Sequence, residues 1–226
     1  MSGPVCVVVG VGKGIGESLV RTYAKEGYRM VLMARTEAKI AALAEEVGGL
    51  AVPCDATDEA SIEAAFAKVA ADLGTVHTLL WNVGSGVFGD LDAIEVAGME
   101  LAWRTNTLGL FVAAKQVVSG MRDAGEGAIL VTGATASRRG KPFTTAFAAG
   151  KAAQRSLCQS LARQLWPQGI HVALVVVDGM VQAPDRDAID VALLPDDIAT
   201  TFLHLSKQPS TAWTFELEVR PHRENW

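Results

Sequence analysis

The sequence of 226 residues predicts a single α/β domain, residues 1–226, built as a doubly wound parallel sheet of about seven strands flanked by helices. Three observations carry that prediction. Short apolar, β-branched runs alternate along the whole chain with longer segments whose apolar residues recur at helical spacing, the order that builds successive βαβ units. Half of the residues are hydrophobic and mean hydropathy is +0.24, which suits a sheet covered on both faces. The first apolar run ends in a glycine-rich loop that opens a helix, and no linker, charge run, repeat or low-complexity tract divides the remainder of the chain.

At the N-terminus, Val5-Cys6-Val7-Val8-Val9 is an unbroken apolar run, as expected of a strand buried on both faces. Gly10-Val11-Gly12-Lys13-Gly14-Ile15-Gly16 comes next, with a helix over 17–25. Glycines let the backbone approach a pyrophosphate, whose charge is met by the free N–H groups and positive end of the next helix. The expected ligand is a dinucleotide, and the alternative is a tight turn and nothing more. Gly27 stops the helix and 29–34 is a second strand. Thr36 caps a helix over 37–47, where Ile40, Leu43, Ala44 and Val47 share a face, and Gly48-Gly49 ends it. Residues 50–54 form the third strand, with Asp55 at its carboxyl end. Asp58 or Thr57 caps a helix reaching 73. Strand 76–82 leads into Val83-Gly84-Ser85-Gly86, and a long helix runs from about 98 to 122 with Thr105-Asn106-Thr107 inside it. Strand 127–132, helix 144–166 and strand 170–177 are the next elements. Beyond Gly179 come a short variable stretch, a helix over 195–206 and a last strand over 213–219. Ligands of such sheets bind at the carboxyl ends of the strands.

Composition excludes several classes of partner. A formal charge of −5 with no basic cluster argues against nucleic acid, whose phosphates need a concentrated cationic face. No apolar run reaches membrane-spanning length, and Met1-Ser2-Gly3-Pro4 leaves no room for a signal peptide before the first strand, so a cytoplasmic location without membrane attachment is expected. The three cysteines, Cys6, Cys54 and Cys158, lack metal-ligand spacing and read as buried thiols. No metal site is expected.

Over essentially its whole length the chain resembles the short-chain dehydrogenase/reductases. That family's Gly-x-x-x-Gly-x-Gly loop is matched by Gly10, Gly14 and Gly16, with Gly12, Lys13 and Ile15 completing the cofactor-binding stretch. Asp55 matches the acidic residue that bonds the adenine amino group, with Ala56 beside it. Asn82-Val83-Gly84 matches the end of the Asn-Asn-Ala-Gly turn, with Trp81 in place of its first asparagine. Asn106 matches the helix asparagine whose backbone holds a water near the catalytic lysine. Phe147-Ala148-Ala149-Gly150-Lys151 stands where the family has Tyr-x-x-x-Lys, and Asp178-Gly179-Met180-Val181 where it has Pro-Gly-x-Val.

The resemblance and charge chemistry together imply NADP(H). Enzymes that prefer NAD put a carboxylate after the second strand to accept hydrogen bonds from the ribose hydroxyls. This chain puts Arg35 there, able to grip a 2′-phosphate through paired hydrogen bonds, with Lys13 as a second cation. The resemblance also marks where the chemistry departs from the family. The tyrosine position is Phe147, and a phenyl ring has no proton to give. The serine position falls on Ala134, or on Thr135 if the turn is shifted by one; Ala183 stands where a threonine commonly holds the nicotinamide amide. Lys151 and Asn106 remain, and Lys151 can still bond the nicotinamide ribose. A divergent subgroup pairs Phe with a retained Lys, and this chain looks like a member. Thr135, Ser137, Ser85, Thr144 and Thr145 are the other hydroxyls in range, most of them expected to be turn and cap residues.

Three functions are compatible with these residues. The leading one is an NADP(H)-binding oxidoreductase acting on a small carbonyl, alcohol or activated alkene, with water or a threonine delivering the proton. The second is a catalytically silent NADP(H)-binding sensor or scaffold. The third is a structural oligomer that has lost the cofactor as well. Relatives assemble through the two long helices, so the resemblance implies a homo-dimer or homo-tetramer. The short stretch after Gly179 predicts an open or small substrate pocket.

Overall fold

The computed structural model describes residues 3–84, 86–183, 185, 187 and 191–223. Among these residues seven strands form one parallel sheet: β1 Val5–Val9, β2 Arg29–Ala34, β3 Leu50–Pro53, β4 Val76–Trp81, β5 Gly127–Ala134, β6 Ile170–Val177 and β7 Glu216–Val219. They are ordered β3-β2-β1-β4-β5-β6-β7, so the chain runs outward from β1 to β3 and then crosses back to β4 on β1's other side. The α-helices are α1 Ile15–Lys25, α2 Ala41–Val47, α3 Glu59–Leu73, α4 Val96–Trp103, α5 Gly109–Ala124, α6 Thr145–Leu165 and α7 Pro195–Ser206.

The alternation of side chains along the strands divides the core in two. Val5, Val7 and Val9 pack with Ile62, Phe66, Leu110, Val117 and Cys158 from α3, α5 and α6. Cys6 and Val8 point the other way, to Leu19, Tyr23, Leu43, Ile198 and Phe202 from α1, α2 and α7. Burial on both faces favours apolar side chains at every position, which is why β1 is unbrokenly apolar. The three cysteines are free and buried.

Several boundaries differ from the sequence reading, each for a local reason. The helix expected over 37–47 is split into a 3-10 turn, Glu37–Lys39, and α2, with the junction at Ile40, whose φ is stretched to −115° (ψ −8°) and whose side chain is buried. Thr36 makes no side-chain cap there. Asp58 is the cap of α3, accepting from the Ala60 N–H at 3.1 Å, whereas Thr57 donates its N–H and hydroxyl to Asp55 Oδ1 at 2.9 and 2.8 Å. The long helix begins at Val96 and carries a π turn over Arg104–Leu108. Within that turn, Thr105 Oγ1 donates to Leu101 O at 2.7 Å and Asn106 Nδ2 to Ala102 O at 2.8 Å, side-chain bonds that compete with the helical ladder. Strand β5 extends to Ala134, since its pairing with β6 continues to Ala134 opposite Val177. The last strand begins only at Glu216, because Trp213 is drawn off to stack on His171, with ring centroids 4.8 Å apart.

Candidate active site

The strand order reverses between β1 and β4, and a crevice opens beyond their carboxyl ends. Asn82 braces its floor: its Nδ2 donates to Gly10 O at 3.1 Å and its Oδ1 accepts from Thr132 Oγ1 at 2.9 Å, tying β1, β4 and β5 together. Within the glycine loop the four glycines do different work. A Cβ built at Gly10 would stand 2.9 Å from the Asn82 carbonyl, and one at Gly16 would stand 2.9 Å from Gly10 O, so these two are small for packing. Nothing lies within 4 Å of a Cβ at Gly12, and at Gly14 (φ +101°) only Pro195 Cγ comes as near as 4.0 Å. Half of the loop therefore faces open space above the start of α1, where Glu17 and Ser18 donate their N–H groups to Gly12 O and Gly14 O, both at 3.1 Å, and the N–H groups of Ile15 and Gly16 precede the helical ladder.

Three connected cavities run along this edge. One of about 430 Å³ is lined by Gly10, Gly12, Lys13, Gly14, Ile15 and Gly16 on one side. Asn82, Gly84, Ala134, Phe147, Lys151 and Val181 line it on the other, with Ala183 at its end. A second, of about 380 Å³, shares Gly10, Gly12, Asn82 and Gly84 and extends to Arg35, Asp55 and Ala56. A third shares Gly12, Lys13 and Arg35 and adds Lys39, a cation four residues beyond Arg35 that the sequence reading did not single out. Lys13 Nζ lies 3.4 Å from Asp185 Oδ2 with both side chains exposed, a solvent-screened pair that holds Lys13 only weakly.

Thr135 and Gly179 line none of these but belong to a further cavity of about 690 Å³, joined to the first through Gly133, Ala134 and Phe147. Phe147 is thus the divider between two spaces, and its ring packs on that of Phe88 at 4.9 Å. The other hydroxyls are committed or apart. Thr135 Oγ1 donates to Asp178 Oδ1; Thr144 Oγ1 accepts from the Lys141 N–H at 2.8 Å; Thr145 Oγ1 donates to Pro142 O at 3.3 Å. The Ser137 hydroxyl is buried without a hydrogen-bond partner among the described residues, and Ser85 lies outside them.

Protein groups hold the Lys151 side chain and link it to Asn106. Its Nζ donates to Thr132 O at 2.9 Å, to Gln154 Oε1 at 3.1 Å and to Val83 O at 3.5 Å. Gln154, wholly buried, passes the contact on by donating Nε2 to the Asn106 carbonyl at 2.9 Å. An amide side chain therefore spans the distance between lysine and Asn106, which itself lines none of these cavities. Burial lowers the Lys151 pKa from 10.5 to about 8, so the ammonium is mostly charged at neutral pH and titrates just above it. Sequence reasoning missed Gln154, although Phe147, Lys151 and Gln154 stand at i, i+4 and i+7 on one face of α6.

Trp81 is fully buried, and its ring approaches Gly109, where a Cβ would stand 3.0 Å from it and 2.2 Å from Ala56 O. The indole fills space under the crevice and forms none of its lining.

Comparison with known proteins agrees with this architecture. The sequence model of the short chain dehydrogenase family matches residues 4–190. An inactive 2-(S)-hydroxypropyl-CoM dehydrogenase 2 from Xanthobacter autotrophicus is 35% identical over 169 residues, 74% of this chain and 73% of that one. Among solved structures, an alcohol dehydrogenase from the archaeon Thermococcus sibiricus complexed with 5-hydroxy-NADP superposes with a TM-score of 0.90 at 25% identity, covering 98% of each chain. A metagenomic short-chain oxidoreductase in complex with NADP superposes at 0.85 with 29% identity, covering 97% of this chain and 98% of the other. The chain belongs to the short-chain dehydrogenase family. Among the described residues no helix is long and apolar enough to cross a membrane.

Proposed function

We propose that this protein is an NADP(H)-dependent oxidoreductase acting on a small carbonyl, alcohol or activated alkene, with a site that lacks the family's tyrosine and serine. The observation that carries the reading is the continuity of the groove: a cationic end at Lys13, Arg35 and Lys39, a glycine cradle with open space, and a second cavity beyond Phe147. That second cavity gives a substrate room beside the cofactor, which favours turnover over a silent role.

NADPH, when bound, would supply a hydride. In this reading Arg35, Lys13 and Lys39 hold the 2′-phosphate, which guanidinium and ammonium groups neutralise where a carboxylate would repel it. Asp55 keeps Oδ2 for the adenine amino group while Thr57 occupies Oδ1. Lys151 gives the ribose the proton of its longest contact, the 3.5 Å one to Val83 O. Phe147 and Ala134 shape the boundary between cofactor and substrate and offer no proton. With the Thr135 hydroxyl engaged by Asp178, a water entering through the substrate cavity delivers it. The outer faces of α5 and α6, where Phe111 and Leu161 line a shallow cavity beside Lys115 and Arg122, support a homo-oligomer built on those helices. Three free, buried thiols suit the reducing cytoplasm.

The test is NADPH consumption against a panel of ketones, aldehydes and enones, for the unmodified protein and for Phe147→Tyr with Ala134→Ser. The unmodified protein is expected to turn over at least one class. On generic carbonyls the double variant should be faster by about a hundredfold to ten-thousandfold, the usual contribution of a positioned general acid. Tight NADPH binding with no turnover in either form would reject an oxidoreductase for that panel.

A further inference from the structure

Resting on that reading, we propose that the cavity beyond Phe147 takes an organic anion, a carbonyl compound or alcohol whose tail ends in a carboxylate or sulfonate, with Arg139 and Lys141 as its recognition residues. The cavity's lining mixes two kinds of side chain. Phe143, Phe147, Val177, Met180 and Val191 are apolar. Arg139, Lys141 and, among the described residues, a single carboxylate, Asp178, carry charge, and Thr135 and Thr144 add hydroxyls.

That carboxylate is already satisfied from elsewhere. Asp178 Oδ1 accepts the Thr135 hydroxyl, and Oδ2 accepts from Arg220 Nη2 at 3.1 Å, where both side chains are almost enclosed. Arg139 Nη2 reaches the same oxygen only at 3.4 Å and its side chain is half exposed, so it is a second cation on a charge that Arg220 has neutralised. Lys141 is the other. Its own N–H donates to Thr144 Oγ1 at 2.8 Å and its carbonyl accepts from that hydroxyl at 3.0 Å, which pins its backbone at the cavity. Among the described residues no carboxylate pairs with its ammonium.

The neighbouring Arg138 shows what a structural cation looks like here. It is bound by two carboxylates, Glu216 at 2.7 Å and Glu218 at 2.6 Å, and does not line the cavity. Arg139 has only a long contact to a carboxylate it shares with Arg220, and Lys141 has none among the described residues, in a protein whose formal charge is −5. A local positive field against that background selects anions, and the apolar side chains in the same lining lower the dielectric in which it acts. The volume, about 690 Å³, is ample for a small molecule with an aromatic or aliphatic body.

The experiment is calorimetric titration of 4-oxo-4-phenylbutanoate and of its uncharged amide, into the protein with and without NADPH. The carboxylate should bind at least about tenfold more tightly than the amide. Arg139→Ala with Lys141→Ala should remove that preference, Arg139→Lys should keep most of it, and Arg138→Ala should leave it in place. NADPH affinity, measured on each variant, should not change, since neither residue lines the dinucleotide groove. Equal affinity for acid and amide, no binding of either, or a preference that survives the double substitution would overturn the proposal. Failure of NADPH to bind would instead strike the functional reading, and the titration without NADPH still decides whether the anion site exists.

Discussion

Among single residues, the site turns on what surrounds one ammonium. Lys151 is enclosed, and its protons are held by two backbone carbonyls and the Gln154 amide. A family reading of the sequence supplies lysine and asparagine but not the glutamine between them, because a polar residue three positions along a helix reads as solvent-facing until the packing of α6 against the π turn is known. That Phe147 and Ala134 would line the crevice was legible, because both lie near the carboxyl-end elements that the strand–helix alternation already places there. The consequence can be measured. With a pKa of about 8, Lys151 donates to a bound ribose at pH 7 and loses that capacity as the pH rises. NADPH affinity should hold between about pH 7 and 8 and fall above it. In Gln154→Leu the ammonium loses an acceptor, its charged form is less favoured, and the fall should begin at lower pH. Fluorescence titration across this range and into more alkaline buffer reads both, and a profile unchanged by Lys151→Met would show that the lysine does not touch the cofactor.

Among the elements, strands and helices were readable from periodicity, and the misplacements occur where tertiary packing overrides it. A helix is split at the buried Ile40, and the π turn over Arg104–Leu108 has no signature in hydrophobic spacing. That turn sits directly before Gly109, where α5 passes close to the loop after β3 and to the end of β4. Trp81 on β4 packs closely on Gly109 of α5, where a Cβ would stand 3.0 Å from the indole and closer still to the Ala56 carbonyl. Gly109→Ala would put a Cβ 2.2 Å from Ala56 O, a backbone atom that cannot move aside cheaply. The expected loss is about 3 kcal/mol or more, at the upper end of overpacking effects, seen as a lower urea midpoint. Combining it with Trp81→Phe should not restore stability, since the clash is with the carbonyl. Full recovery in that double variant would assign the strain to the indole instead.

Taken as a whole molecule, two apolar layers hold a parallel sheet whose strand order reverses once, and both the dinucleotide groove and the cavity beyond Phe147 lie at the carboxyl ends of its strands. The anionic protein concentrates cations at the two extremes of that crevice: Arg35 and Lys39 at one, Arg139 and Lys141 at the other. The first extreme was legible from Arg35 after the second strand and Lys13 in the glycine loop. The second was not, because Arg139 and Lys141 acquire meaning only when Asp178 is seen to be claimed by Arg220. Everything proposed for the chemistry depends on the crevice binding a dinucleotide that carries a 2′-phosphate. The decisive measurement is parallel titration of NADPH and NADH into the unmodified protein and into Arg35→Asp. NADPH should bind the unmodified protein at least about tenfold more tightly, about 1.4 kcal/mol, and Arg35→Asp should abolish or reverse the preference. Equal affinity for the two cofactors in the unmodified protein, or a preference untouched by Arg35→Asp, would refute it.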